Sequence, residues 1–328
     1  MKNGIINFLS NFERENIAET FPLDYCLPVY HCVSDEDLLH LKNIIPYKNT
    51  RQFEQDLDFL GKHFQFVSWE EFKDFMNGNF RPKKKIALLT FDDGLREFYE
   101  VVMPILERKG IYAINFINPE FIDNKNLMFR CKASLLAEHV KDGKKINPEI
   151  FNVLQSKANL ANQILKIGYS QQHLLDRLAE ILGVDFSIFL RQQQPYITLN
   201  QLKSATQRGF GISSHSWDHP LYHELSVGQQ LEATDRTFRY LKQHGFLHES
   251  FAFPFTDFGV KKEFFDLLFQ NQEILFTFGC AGIKLDSVER NFQRIPMENG
   301  DTAEAILKKE IAYFRLKKIL NKNKIVRP

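Results

Sequence analysis

An α/β chain is predicted by three observations: short apolar runs that read as buried strands, amphipathic helical stretches between them, and two clusters of reactive side chains that each follow such a strand. Its 328 residues, 44% of them hydrophobic, can bury a sizeable core as one large domain. Residues 1–26 form an N-terminal extension. Leu27-Pro28-Val29-Tyr30-His31 then reads as the first strand and delivers an imidazole at its end. Phe53, Leu57 and Leu60 mark a helix, with His63 expected at its surface or cap. The apolar run Ile86-Ala87-Leu88-Leu89 leads into Thr90-Phe91-Asp92-Asp93-Gly94, a helix covers Glu97 to Arg108, and a strand covers Tyr112 to Ile117.

From about residue 124 to 195 the pattern is mainly helical, with Ser170 as a candidate cap for a run bearing Leu174, Leu175, Leu178, Ile181 and Leu182 and ended by Gly183. This reads as an inserted helical subdomain. It leaves near the C-terminal end of a strand, where α/β folds keep their sites, so it serves either as a lid or substrate-length filter over such a site or as a structural embellishment packed beside the main domain. Thr198 begins a helix to Gln207, Phe210 to Ser214 is a buried strand, Leu231 to Leu241 is an amphipathic helix, and Phe251 to Phe255 is a further strand. Phe292 to Pro296 is a late strand. Asp301, with Glu304 in capping-box spacing, begins a basic helix over residues 301–328.

Two adjacent carboxylates at a strand end, Asp92 and Asp93, stand where α/β barrels keep their chemistry, although Asp-Gly is also an ordinary turn. His215-Ser216-Trp217-Asp218-His219-Pro220 supplies two imidazoles after a second strand, in a turn stopped by proline. His244 and His248, with the same spacing, sit at a helix end and read as capping or solvated, and His40, His139 and His173 carry no functional signal. One carboxylate with two neutral imidazoles makes an N,N,O set suited to zinc, leaving room for water and a substrate oxygen. A metal so held polarises an acyl carbonyl and lowers the pKa of water toward neutrality.

Thr90-Phe91-Asp92-Asp93-Gly94 and His215-Ser216-Trp217-Asp218-His219 together resemble the polysaccharide deacetylase family, the NodB-homology carbohydrate esterases of family 4. The resemblance runs from about Leu27 to Pro296 and implies a distorted (β/α)7-type barrel over residues 27–300 that binds a divalent metal. It implies Asp93, His215 and His219 as ligands and Asp92 as general base. Zinc is the expected metal, with cobalt, nickel or manganese as alternatives. Phe251-Ala252-Phe253-Pro254-Phe255 resembles the strand that walls the family's groove, with Pro254 at the wall and the backbone N–H of Phe255 as oxyanion donor. The family's arginine before that proline is absent, and Arg294 is offered as the substitute that returns a guanidinium to Asp92. The family's late histidine acid is absent too, since no histidine follows His248, and His31 is the candidate replacement. Trp217, Phe91, Phe253 and Phe255 are candidate apolar surfaces against a sugar face.

These readings point to a metal-dependent hydrolase that removes an N-acyl group, acetyl first, from an amino sugar of a polysaccharide or glycolipid precursor. A non-catalytic carbohydrate-binding protein on a decayed barrel is the alternative, motivated by the missing arginine and histidine. A phosphatase with Asp92 as nucleophile would leave the histidine pair idle. Net charge is +1, which gives no electrostatic case for nucleic acid. From Lys308 to Arg327 eight basic residues face one acidic residue, which leaves contact with an anionic membrane surface open. Neither a secretory signal nor a transmembrane run is visible, and the four scattered cysteines suggest free thiols, so a cytoplasmic location is expected.

Overall fold

The computed structural model describes residues 16–141, 147–154 and 159–328. Its centre is one parallel sheet: β1 Pro28–Tyr30, β2 Leu89–Phe91, β3 Ala113–Ile117, β4 Gly211–Ser214, β5 Ser250–Ala252, β6 Phe276–Gly279, β7 Asn291–Gln293 and β8 Ile295–Pro296. Neighbours follow chain order from β1 to β7, and β8 returns to pair with β1, Ile295 opposite Pro28 and Pro296 opposite Val29. Because β7 and β8 are two halves of one extended segment interrupted at Arg294, that segment seals the sheet into a barrel of seven staves. All strands run parallel, as helical crossovers require.

Period-two alternation divides the side chains. Leu27, Leu88, Ile114, Phe116, Ala252, Phe276, Phe278 and Phe292 share the cluster inside the barrel, joined by Trp69 and Phe72. Leu89, Phe91, Ile117, Ile212, Phe251 and Phe253 belong to the outer cluster, packed against the helices. Many of the phenylalanines thus serve as core on both faces of the sheet. Phe91 and Phe253, expected to face a sugar, are instead fully buried on the outer side, because each is one residue out of phase with the interior positions.

The helices follow their sequence signals with local corrections. Thr198 caps Leu199–Gln207 in a capping box, and Ser226 does the same for Val227–His244, which Gly245 ends in a left-handed conformation. Ser170 is not a cap: it lies in a short 3-10 turn ahead of the helix His173–Leu182. The C-terminal helix Ala303–Ile319 is capped by Thr302 rather than Asp301, whose carboxylate pairs with Lys309. His63 is buried against Phe59 rather than exposed.

Helices Phe129–Lys141, Ile150–Leu154, Leu160–Leu165, His173–Leu182 and Phe186–Gln193 occupy the stretch between β3 and β4. Their core, built on Leu136, Ile164, Leu175 and Leu178, also takes in Cys32, Leu38, Leu41 and Leu95 from the barrel rim. This block is therefore cemented to the mouth of the barrel, and excising it would uncover rim side chains. The basic C-terminal run is split in use: Lys308 and Lys309 pair with Glu304 and Asp301, and Arg327 is buried between Asp257 and Asp286. Among the described residues no helix is long and apolar enough to cross a membrane.

Candidate active site

The interior phase that holds Leu88 also carries Thr90 and Asp92, so Asp92 turns into the barrel mouth as the next layer above the hydrophobic plug. Arg294 follows Phe292 in the same phase and is fully buried. Its Nη1 and Nη2 donate to Asp92 Oδ1 and Oδ2 at 2.6 and 2.7 Å, and its guanidinium carbon lies 5.3 Å from the Phe116 ring centroid. This is the two-pronged geometry that only arginine supplies. Burial pushes the Asp92 carboxyl upward, but the Arg294 guanidinium, helped by His31, outweighs it and holds the group below the usual carboxylate range.

Asp93 leaves that phase because its φ is +73°, and Gly94 continues the turn at φ +63°. A Cβ on Gly94 would come within 3.2 Å of Ile117 Cγ2, so glycine is needed for space as well as conformation. The kink sends neighbouring carboxylates to different places: Asp92 to Arg294, Asp93 to the histidines. Asp93 Oδ1 lies 3.2 Å from His219 Nε2 and 3.5 Å from His215 Nε2. The histidine turn has its own left-handed residues, Ser216 at +64° and His219 at +62°, and Asn118 Nδ2 donates to the carbonyls of His215 and Ser216. Strained non-glycine conformations gathered at one mouth are the signature of a site whose geometry the surrounding fold enforces.

Donor chemistry tests whether these three side chains fit a metal. His215 Nδ1 lies 2.9 Å from the Ala252 carbonyl; donating there leaves the Nε2 lone pair facing Asp93. Burial keeps that imidazole neutral, with its pKa pushed down to about 4. Asp93 Oδ1 and His215 Nε2 are buried and have no hydrogen-bond partner among the described residues. One ligand atom from each of Asp93, His215 and His219 lies within 4.8 Å of the others. Buried N, N and O ligand atoms gathered within reach of one point, with Asp93 Oδ1 and His215 Nε2 unsatisfied, fit a divalent cation.

His31 ends β1 at the same mouth. Its Nδ1 lies 2.6 Å from Glu298 Oε2, and Glu298 also accepts from the backbone amides of His31 and Cys32. Burial works against a charged imidazole here, but Glu298, with Asp93 and Asp92, overrides it and raises the pKa to about 9. Glu298 is the main site residue that the sequence reading missed. Arg294, Pro296 and Glu298 alternate along the closing segment, so period two carried forward from Arg294 would have found it.

A cavity of about 660 Å3 lies above these groups, lined by His31, Asp93, His219, Phe255, Pro296 and Glu298 on the barrel side. Phe255 follows Pro254 in a turn at φ +55°, and its ring stands 4.4 Å, centroid to centroid, from His219. The facing wall comes from the inserted helices, through Met128, Phe129, Arg130 and the loop Leu165 to Gly168. Trp217 is not among the lining residues. Its indole N–H donates to Glu120 at 2.8 Å and Arg236 lies over its ring at 3.6 Å, so it packs behind the histidine turn. Tyr169, on the inserted wall, donates to Asp218 at 2.6 Å and ties that wall to the same turn.

Comparison with known proteins agrees with this architecture. A model of the polysaccharide deacetylase family matches residues 80–157, which include Asp92 and Asp93. The Bacillus subtilis protein YxkH, whose description assigns it to the polysaccharide deacetylases, is 27% identical over 116 residues, a stretch covering 34% of this chain and 39% of that protein. The Streptococcus pyogenes deacetylase PplD, solved with acetate, superposes with a TM-score of 0.56 at 17% identity, over 87% of this chain and 97% of its own. IcaB from Ammonifex degensii gives 0.55 at 16% identity over 87% and 97%. The matched segment and the curated homologue carry the resemblance to polysaccharide deacetylases, and the structural likenesses carry the NodB-type barrel.

Proposed function

We propose that the protein is a metal-dependent hydrolase that removes an N-acyl group, acetyl first, from an amino sugar of a glycan or glycolipid precursor. The observation that carries this reading is the division of labour between Asp92, gripped by Arg294, and Asp93, turned toward the Nε2 atoms of His215 and His219. A divalent metal, zinc by its donor set, would be held by Asp93, His215 and His219 and would polarise the acyl carbonyl and acidify a water.

Asp92 stays ionised at neutral pH under the Arg294 guanidinium and accepts the proton of the attacking water. Arg294 fixes both carboxylate oxygens, so the base cannot swing toward the histidines. The Phe255 N–H, on its left-handed turn after Pro254, donates to the carbonyl oxygen as charge develops there. His31, kept protonated by Glu298, donates from Nε2 to the departing amine. The binding-protein alternative rested on the arginine missing beside Pro254 and on the missing late histidine; the Arg294–Asp92 pair and the His31–Glu298 pair support the catalytic reading against it.

Metal content and turnover test the reading together. Purified protein should carry close to one divalent metal by mass spectrometry, lose it in His215→Ala, keep it in Asp92→Asn, and release acetate from N-acetylglucosamine oligomers only with Asp92 present. A protein that takes up no metal after reconstitution sinks the mechanism.

A further inference from the structure

The cavity holds two cations that no carboxylate among the described residues answers. Arg130 and Lys166, both from the inserted helical wall, line it. Arg130 Nη1 donates to the Leu165 carbonyl, and its guanidinium carbon lies 6.0 Å from the Phe129 ring centroid. Half-buried, it has no carboxylate partner among the described residues, and burial presses its pKa downward instead of a counter-ion raising it. Lys166 is exposed and has no such partner among them either. Of the acids lining the cavity, Asp93 faces His219, Glu298 faces His31, and Glu224 is exposed and pairs with neither cation.

A guanidinium partly withdrawn from water without an anion is an incomplete interaction, and a fork beside a point charge matches the geometry and charge of a phosphate better than those of a hydroxyl. The Phe129 ring meets Phe255 at 6.0 Å, and Phe255 meets His219 at 4.4 Å, so this cation pair and the metal triad share one continuous wall. We propose that the cavity takes an N-acylated amino sugar bearing a phosphate, with the phosphate received by Arg130 and Lys166 while the acyl group reaches Asp92. This rests on the hydrolase reading above and names its substrate class. Such a phosphate can be that of a soluble sugar phosphate or of a lipid-linked sugar.

The test compares N-acetylglucosamine, N-acetylglucosamine 1-phosphate and a long-chain alkyl ester of that phosphate, on the metal-loaded wild type and the Arg130→Gln/Lys166→Gln double variant, by calorimetry and acetate release. The expected result is at least tenfold tighter binding of the phosphate-bearing sugar by the wild type, weakening with salt and collapsing in the double variant. A further gain from the alkyl chain identifies the lipid-linked source, and its absence the soluble one. Equal binding of charged and neutral sugars, or a preference that survives both substitutions because the metal alone holds the phosphate, overturns the proposal. Acetate release from no sugar at all overturns the hydrolase reading, while the binding ratio still decides this one.

Discussion

Two walls face each other across the cavity, and they are made by different rules. The barrel wall sets Asp92, His215 and Arg294 on strand ends, each nearly excluded from solvent, with His215 tied to the neighbouring stave at Ala252 and Asp92 tied to Arg294 across β1. The facing wall is helical and offers Phe129, Arg130 and Ile167 over a core that it shares with the rim. On the barrel side a one-residue slip would exchange a reactive group for a core side chain, so position is over-determined. On the helical side a substitution alters shape or charge at the cavity and leaves the strand register intact. Under the proposed function, this difference separates the chemistry of the site from its selectivity.

The contrast predicts unequal damage. His215→Ala and Asp92→Asn should each lower acetate release by about a thousandfold or more, within the range of lost acid–base or metal function, and metal analysis should separate them. Equal metal loss in both would merge roles that we keep apart. Arg294→Met should cut turnover by about a hundredfold and cost roughly 3–5 kcal/mol of stability, since it leaves a buried carboxylate unpaired. Adding Asp92→Asn to it should restore much of that stability in thermal denaturation, whereas additive losses would show that Arg294 acts mainly as core.

Glu298→Gln sharpens the comparison through pH. His31 must be protonated to donate, and Glu298 holds its pKa near 9, so activity should fall as pH rises through that value. Without the carboxylate the basic limb should move down toward about 6.5, with only a few-fold loss at neutral pH. The same sign holds for stability: the contribution of the pair is complete below the ordinary histidine pKa and is lost as pH rises through about 9. A limb that stays in place would remove His31 from the acid role. The smallest effect is expected where the walls touch. Tyr169→Phe deletes the bond to Asp218, worth about 1 kcal/mol, and should weaken metal retention against a chelator about fivefold. Unchanged retention would make the helical wall independent of the histidine turn.

Much of the barrel wall was readable in the sequence because its signals are local. The carboxylate pair, the histidine turn and the strands before them each fit within a few residues, and Arg294 stood in a late strand of the right character. Errors arose where alternation or helical phase was not carried through. Phe91 and Phe253 fall on the outer phase, and His63 lies three residues beyond Leu60 on the buried face of its helix. Trp217 was beyond local reading, because its partners Glu120 and Arg236 come from distant segments. The wall made by Phe129 and Arg130 was equally hidden: helical periodicity reveals a buried face without saying what it packs against.

The seam at Arg294 also sets an order in time. Asp92, the proposed base, takes its guanidinium from the stave that pairs with Pro28 and Val29, so residues more than 260 positions apart must meet before it has its partner. During synthesis the carboxylate pair and the histidine turn emerge long before that stave. A growing chain can therefore assemble most of the barrel while Asp92 is still untethered, and the Asp92–Arg294 pair arrives late, with the return of the chain to its own first strand.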